Sequence, residues 1–425
     1  MIIAISSTLI CLMPIGLVFG PLIPELIIMI TTILIIYGKF KNSINFKINY
    51  NFIKINLIIW FILVVSSLLS NEIFFSLKNS FFYFRFFILS IIISIILENT
   101  QDFIKKFYNY LLITFLIISF FAFIQLLFIN NTEIENFFYK LTNLKFNQDL
   151  KLKRISGLFG EELIMGSFIA RFTPLFLGLF FYLKNILKKK QQYIFYFTSF
   201  LNLIMLMLAG ERTSIALMII FLLLILLTCY KVINIKKSFL FFFIAILFFI
   251  AFLQLNPNIK FRLITHTYYE QIYKNNKFHI FSEQHEYQYK AAWKMYLNNP
   301  VIGIGPKNYR KECLNPKYYD NSIPLFKDYS PASCTTHPHN ILLQIMSETG
   351  TIGLTAYIFL YILLLYILIN NFRNFENKCF YIKNFIILNT LISLFPFVPS
   401  GNIFNNWLMI TLFIPLGFLI YKKKQ

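Results

Sequence analysis

The stretch from Cys334 to Leu354 reads Cys-Thr-Thr-His-Pro-His-Asn-Ile-Leu-Leu-Gln-Ile-Met-Ser-Glu-Thr-Gly-Thr-Ile-Gly-Leu and holds two of the chain's five histidines. Asn340 is a favourable N-cap residue, and Gly350 suits the left-handed conformation that often ends a helix. The pattern predicts a short helix over residues 341–349, after a long polar loop and before an apolar run. Two imidazoles at such a junction indicate a candidate site of chemistry.

His339 is predicted to lie just before the N-terminus of that helix. The partial positive charge of a helix N-terminus disfavours imidazolium, so His339 should be neutral near pH 7 and able to accept a proton. The same position favours an anionic group. His337, which Pro338 biases toward an extended backbone, could orient His339 or substitute for it. The alternative is that both rings only end a loop.

The apolar composition is typical of a polytopic, all-α membrane protein. Of the 425 residues 58% are hydrophobic and 13% are charged, about half the charged fraction of a soluble protein. The apolar runs are continuous and long enough to cross a bilayer, whereas a β-barrel requires alternation. We predict about twelve transmembrane helices. Their approximate ranges are 3–19, 22–37, 53–70, 80–97, 107–129, 163–183, 192–209, 213–230, 238–255, 351–370, 382–398 and 402–420.

The lysines and arginines of the short loops give the predicted orientation. If both termini are cytoplasmic, almost all of these basic residues fall on the cytoplasmic side. The N-terminus lacks the basic region of a cleavable signal peptide, so we expect the first span to be retained. Two long segments, 130–162 and 256–350, then lie outside. We predict one integral membrane domain over 1–425 with 256–350 as its large outer loop. That loop should contain short helices, one of them over 283–297 with Trp293 on its apolar side.

The formal net charge of +21 has two interpretations. Nucleic acid is not favoured as a partner, because the lysines lie in short loops and not on one amphipathic segment. The basic excess of the long outer loop favours an anionic ligand at the membrane surface, and a compositional bias toward lysine is the alternative. Cys313 and Cys334 share this loop, and they should form a disulfide in an oxidising compartment or stay free thiols in the cytoplasm.

Arg212 lies in Gly210-Glu-Arg-Thr-Ser214, a tight turn that opens a predicted span. A cation near a helix N-terminus is electrostatically misplaced, so an anion should compensate it. That anion is either Glu211, in a salt bridge, or a ligand phosphate, which a guanidinium binds in bidentate fashion. Four other arginines near or within predicted spans could join such a site, anchor headgroups or snorkel. They are Arg154, Arg262, Arg171 and Arg85.

The motifs of metal and nucleotide chemistry are absent from the sequence. It has no Walker loop, no zinc-ligand spacing and no Gly-x-Ser-x-Gly elbow. The acidic residues of the outer loops are scattered singly, unlike those of a metal-dependent transferase. We therefore predict that the protein works with no metal and no soluble cofactor.

Three motifs in this order resemble the O-antigen ligase and polymerase superfamily. They are Gly210-Glu-Arg-Thr-Ser214, Asn299-Pro-Val-Ile-Gly-Ile-Gly-Pro-Lys-Asn-Tyr309, and His339-Asn340 followed by Glu348-Thr-Gly-Thr-Ile-Gly353. The resemblance covers about residues 200–370. It implies a glycosyltransferase of the bacterial inner membrane, with a large periplasmic loop and no metal ion. Such an enzyme moves a glycan from undecaprenyl diphosphate to the lipid A core, as a ligase, or to another carrier-linked repeat, as a polymerase.

The resemblance also assigns residues by position. It makes His339 the essential histidine, with His337 beside it, and gives Arg212 and more loosely Arg262 to the carrier's diphosphate. Arg154 is our third candidate for that diphosphate.

We expect these cations to neutralise the departing diphosphate while His339 accepts a proton from the acceptor hydroxyl. A single displacement would invert the anomeric centre. The chain departs from the family pattern before Trp293, where many members carry an arginine and it reads His285-Glu-Tyr-Gln-Tyr-Lys290. The family's third phosphate ligand is therefore unassigned. The alternatives are a polymerase, a protein-directed glycan transferase, and a transporter or flippase of carrier-linked glycans.

Overall fold

The computed structural model describes residues 1–45, 50–128, 154–229, 247–273, 279–319, 331–373 and 379–420. These residues form helices and loops with no β-strand among them, which confirms the all-α prediction. The helices are α1 (Ile2–Val18), α2 (Leu22–Phe40), α3 (Tyr50–Leu68), α4 (Ile73–Phe81), α5 (Phe84–Asn99), α6 (Phe103–Phe128), α7 (Met165–Leu183), α8 (Lys189–Leu208), α9 (Arg212–Cys229), α10 (247–255), α11 (Pro257–Lys260), α12 (Glu283–Asn298), α13 (Tyr309–Glu312), α14 (Ile341–Arg373), α15 (Cys379–Ser393) and α16 (Asn406–Ile420). Two π-helical turns, Phe261–His266 and Tyr269–Tyr273, follow α11.

Seven helical segments in the described part of the chain are long and apolar enough to cross a membrane. They are Leu22–Phe40, Tyr50–Leu68, Ile73–Asn99, Phe103–Leu127, Met165–Leu183, Lys189–Leu208 and Ile341–Asn371. Four shorter apolar helices accompany them: Ile2–Val18, Arg212–Leu227, Ile382–Ser393 and Asn406–Ile420. The total of about twelve spans stays a prediction, because half of the proposed span 238–255 and most of the predicted outer segment 130–162 lie outside the described residues.

Helix α7 lies at the centre of the bundle and packs against α6, α8, α9 and α15. Four of its five phenylalanines, Phe168, Phe172, Phe176 and Phe180, are fully or almost fully buried. Phe176 and Phe180 form stacked and edge-on pairs with rings of α6 and α8. Lipid tails are as apolar as these side chains, so close van der Waals packing holds the helices together in a membrane. This packing fixes the N-terminal end of α7, where the candidate site lies.

The predicted helix end at Gly350 is a break inside a longer helix. Gly350 has φ 64° and ψ −160°, and α14 resumes directly after it. The loop 299–305 fills the break. Carbonyls of the last residues before the break accept the N–H groups of Ile304 and Gly305, and the N–H groups of Thr351 and Ile352 donate to carbonyls of the loop. The interrupted backbone is thus fully paired, as burial requires.

Replacing Gly350 with alanine is expected to destabilise the protein by about 2 kcal/mol or more. The new Cβ would overlap the backbone of Val301, which cannot rotate away, and alanine is strained at positive φ. Thermal unfolding of the detergent-purified variant would measure the loss. Gly401→Ala is the matched control, because a Cβ there meets no atom within 4 Å. Equal melting temperatures for both variants would contradict this account of the break.

Buried polar groups hold the chain from Ile302 to Tyr309 in a single position. The carboxylate of Glu348, which is fully buried, accepts the backbone N–H groups of Lys307 at 2.9 Å and Tyr309 at 3.1 Å. Hydroxyls of Ser66 in α3 and Ser76 in α4 donate to carbonyls of Ile302 and Pro306. The loop is therefore tied to two membrane helices as well as to α14.

The long predicted loop has a small core of its own around α12 and α13. Cys313 and Cys334 are joined by a disulfide with Cα atoms 5.0 Å apart, which answers the question that the sequence left open. Helix α12 agrees with the predicted 283–297, but the expected side of Trp293 was wrong. Trp293 is 46% exposed, and the buried face consists of Gln288, Ala291, Ala292 and Met295. Small residues there allow α12 to pack closely on α14.

Candidate functional site

A cavity of about 1170 Å³ opens between the N-terminal end of α7, the start of α9 and the loops on either side of α12. All five residues singled out in the sequence line it: His339, His337, Arg212, Arg262 and Arg154. They come from four separate segments of the chain, so only the fold brings them together.

Hydrogen bonds from the segment between α15 and α16 fix the positions of the two histidines. The Ser400 N–H donates to the His339 carbonyl at 2.8 Å, and Asn340 donates to the Pro396 carbonyl at 2.9 Å. Asn340 also accepts the Leu343 N–H at 3.0 Å, so it is the predicted N-cap. These contacts hold the backbone of His339 at φ 51°, a conformation that costs free energy in a non-glycine residue and persists only when its surroundings impose it.

Both ring nitrogens of His337 have partners. Nε2 lies 3.1 Å from the Ser400 carbonyl oxygen, and Nδ1 lies 2.8 Å from the Thr336 hydroxyl. A carbonyl only accepts, so Nε2 carries the proton and Nδ1 accepts from the hydroxyl. Burial, together with the neighbouring His339, lowers the pKa of His337 to about 3. His337 is therefore neutral and held in one orientation.

His339 faces the same cavity with its ring centroid 4.1 Å from that of His337. Burial, followed by the charge of His285, lowers the pKa of His339 to about 4. The ring is neutral at pH 7, as the sequence predicted. The main cause is desolvation, however, and not the helix N-terminus.

Arg212 is the first residue of α9 and lies on the opposite wall. Its guanidinium forms an ion pair with Glu270 at 2.9 Å and lies 2.8 Å from Nδ1 of His266. It also donates to the Arg262 carbonyl at 3.2 Å, while Nε of Arg262 donates to the Gly210 carbonyl at 2.7 Å. Each guanidinium is thus held by a backbone carbonyl at or near the turn before α9, and both line the cavity.

Glu211, one of the two anions proposed to compensate Arg212, has other partners. Its carboxylate is 6% exposed and accepts the backbone N–H groups of Gly166 and Ser167 at 2.8 and 3.0 Å. It therefore caps the N-terminus of α7. Arg154 lies 3.7 Å from this carboxylate and donates to two backbone carbonyls, so it braces the turn as well as lining the cavity.

Two further cavity residues were noted in the sequence but not assigned to the site. Arg171 in α7 is only 3% exposed, and its Nε has no partner among the described residues. Its signal was a charge inside an apolar run. His285 of α12 has its ring centroid 5.6 Å from that of His339. It lies in the segment 285–290, in which the chain departs from the family pattern.

The segment that follows loop 299–305 adds two cations that the sequence analysis did not assign to a site. Lys307 and Arg310 line the cavity beside His337. Arg85, by contrast, forms an ion pair with Glu25 at 2.9 Å and is not among the cavity residues. The cavity thus contains the imidazoles of His285, His337 and His339, whose pKa values are lowered, the imidazole of His266 beside Arg212, and cations from several segments of the chain.

Residues 197–358 match the family model described as O-antigen ligase. The matched segment runs from α8 into α14 and carries both Arg212 and His339. No curated protein matches the chain.

Proposed function

We propose that this protein, whose residues 197–358 match the family model described as O-antigen ligase, moves a glycan from undecaprenyl diphosphate to an acceptor at the periplasmic face. The acceptor in this proposal is the lipid A core. The observation that carries the proposal is the meeting of a neutral imidazole, His339, with the paired guanidinium groups of Arg212 and Arg262 around one cavity.

The guanidinium groups suit the leaving diphosphate. Two fixed cations can stabilise the charge that develops as the glycosidic bond breaks, and they need no reorganisation at that moment. Glu270 would serve as the counter-ion of Arg212 until the diphosphate displaces it. Arg154 and Arg171 lie nearby and add positive charge to the same wall.

The imidazoles suit the acceptor. In this proposal His339 accepts the proton of the attacking hydroxyl. His337 positions His339, because both histidines are hydrogen-bonded to Ser400. His337 has no free nitrogen in the described structure, so we assign it the orienting role and not that of a substitute base. One displacement by this route inverts the anomeric centre.

The disulfide supports the predicted orientation. Disulfides persist in oxidising compartments, and Cys313–Cys334 lies in the loop that we propose to be periplasmic. Both termini would then be cytoplasmic, in agreement with the distribution of basic residues in the short loops.

The test is a transfer assay with the purified protein in detergent. Carrier-linked glycan is offered with lipid A core, with a second carrier-linked repeat or with neither, and the product is identified by mass and anomeric configuration. We expect an inverted product on lipid A core that forms equally well after treatment with a chelator. Chain growth on the carrier would make the protein a polymerase. No transfer with any acceptor would favour a flippase, since transport has no meaning in detergent.

Transfer is expected to retain its activity well below pH 6.5. The pKa of His339 is about 4 in the folded protein, against 6.5 for an ordinary histidine, so the ring can accept a proton throughout the neutral range. Between these two values the unfolded state binds more protons than the folded state, and stability therefore falls as the pH is lowered through that window. Rates and melting temperatures between pH 4.5 and 8 measure both effects. An acid limb of kcat/KM centred at pH 6.5 would contradict the assignment.

A further inference from the structure

We propose that Lys307 and Arg310 form a second anion subsite, which binds a phosphate or carboxylate group of the acceptor. This inference rests on the proposed function and deepens it, because it requires the acceptor to be anionic. Lys307 and Arg310 line the same cavity as Arg212 and Arg262 but come from a different segment of the chain.

The order of the rings separates the two groups of cations. His339 lies between the other two, with centroid distances of 5.6 Å to His285 and 4.1 Å to His337. Besides burial, the charge of Arg212 lowers the pKa of His285, whereas the charge of Arg310 lowers the pKa of His337. Each group of cations therefore flanks one end of the row, with His339 in the middle.

The two groups also differ in their counter-ions. Arg212 pairs with Glu270, and Arg154 lies near Glu211. In the described part of the chain the side chains of Lys307 and Arg310 form no ion pair within 4.0 Å and no hydrogen bond, although the more distant carboxylates of Glu348 and Glu25 raise the pKa of Lys307. Two cations that share a wall repel one another, so an arriving anion would gain from both without first breaking an ion pair.

The backbone of Lys307 is held in one position. Its φ is 63°, and its N–H donates to the buried carboxylate of Glu348. Burial, with a further contribution from Arg310, lowers the pKa of the Lys307 ammonium to about 8. It is still mostly charged at pH 7 but poorly solvated, which is the condition under which an ammonium gains most from an anionic ligand.

Two sources could supply the same chemistry. A phosphorylated or acidic sugar of the lipid A core is one, and the diphosphate of a second carrier-linked repeat is the other. In either case the anion would anchor the acceptor at the His337 end of the row while its hydroxyl reaches His339. The subsite would then act on acceptor affinity and leave the chemical step unchanged.

The test compares Lys307→Gln and Arg310→Gln, singly and together, in the purified full-length protein. Acceptor affinity is measured without donor, using phosphorylated lipid A core, the same core after phosphatase treatment, and a carrier-linked repeat. We expect the double variant to bind its anionic acceptor about 10- to 100-fold more weakly. Binding of the donor, measured alone, should change no more than about twofold, and the dephosphorylated core should bind both proteins equally. The acceptor that the double variant binds more weakly, either the phosphorylated core or the carrier-linked repeat, identifies the source of the anion.

Lys311→Gln is the matched control, since this neighbouring lysine pairs with Glu72 at the surface and does not line the cavity. Unchanged affinity for every anionic acceptor, or equal weakening for the dephosphorylated core, would overturn the subsite. Since binding is measured without turnover, a wild-type protein that binds anionic acceptors but transfers nothing would defeat the proposed function and leave the subsite standing. Melting temperatures equal to that of the wild type exclude misfolding as the cause.

Discussion

Replacing His339 with asparagine is expected to lower the rate of glycan transfer at least about 100-fold. In the proposed reaction its neutral imidazole accepts the proton of the acceptor hydroxyl, and an amide cannot do so. Asparagine is chosen over alanine because it tolerates the φ of 51° at this position, so the loop should keep its shape. The measurements are the initial rate and the affinity for the carrier-linked donor, which should stay within about twofold of wild type.

His279→Asn is the matched control for this variant. His279 pairs with Glu286 at 2.8 Å and does not line the cavity, so its replacement should leave the rate unchanged. His337→Gln should give an intermediate loss, because it disturbs the orientation of the site and not the base itself. A His339→Asn protein that transfers at the wild-type rate would refute the assignment, and so would equal losses in the His279 and His339 variants.

The local structure around His339 could be predicted because it depends on neighbours in the sequence. Asn340 caps the helix whose start it predicts, and Gly350 interrupts that helix at the expected residue. Caps and glycines act within a few residues of themselves, so their pattern is sufficient. The pattern did not predict that α14 continues after Gly350, because that continuation depends on loop 299–305 filling the break.

Partners distant in the sequence could not be predicted in the same way. Arg212 was expected to pair with Glu211 or with a ligand, yet its carboxylate partner is Glu270, 58 residues further on. Glu211 turns to the N-terminus of α7, where two backbone N–H groups bind it. Which carboxylate lies beside which helix end is decided by the packing of the helices. The selection of His285, Lys307 and Arg310 for the cavity has the same origin.

Trp293 illustrates a second limit, which concerns what a large apolar residue indicates in a short helix. The pattern predicted that Trp293 marks the apolar, packed side of α12, yet Trp293 is 46% exposed while Ala291 and Ala292 are buried. Helix α12 packs against α14, and small side chains on the contact face let the two helices approach closely. Which face of α12 meets α14 is decided by the fold and not by the apolar pattern of the segment.

Replacing Arg212 with glutamine is expected to lower kcat/KM for the carrier-linked donor about 100-fold. The change removes one of the two guanidinium groups that we propose to neutralise the leaving diphosphate. Arg212→Lys should recover little of this loss, because an ammonium cannot present the planar pair of donors that binds phosphate in bidentate fashion. Steady-state kinetics at fixed salt with the carrier-linked donor varied measure the effect.

Stability should be almost unaffected by this change, which separates the role of Arg212 in the site from a role in folding. The Arg212 and Glu270 side chains are 32% and 29% exposed, and ion pairs that solvent reaches contribute at most about 1 kcal/mol. Arg85→Gln is the matched control, since the Arg85–Glu25 pair has similar exposure, 25% and 26%, outside the cavity. It should keep full activity with a similarly small change in melting temperature.

Glu270→Gln extends the same test to the counter-ion. If the diphosphate displaces Glu270 from Arg212, neutralising that carboxylate should strengthen donor binding or leave it unchanged. Adding Arg212→Gln should then abolish the difference between Glu and Gln at this position, because the two groups act on the donor through each other. Weaker donor binding in Glu270→Gln alone would mean that the carboxylate holds Arg212 in its working position even when the diphosphate is bound. The proposal that the diphosphate displaces Glu270 from Arg212 would then be wrong.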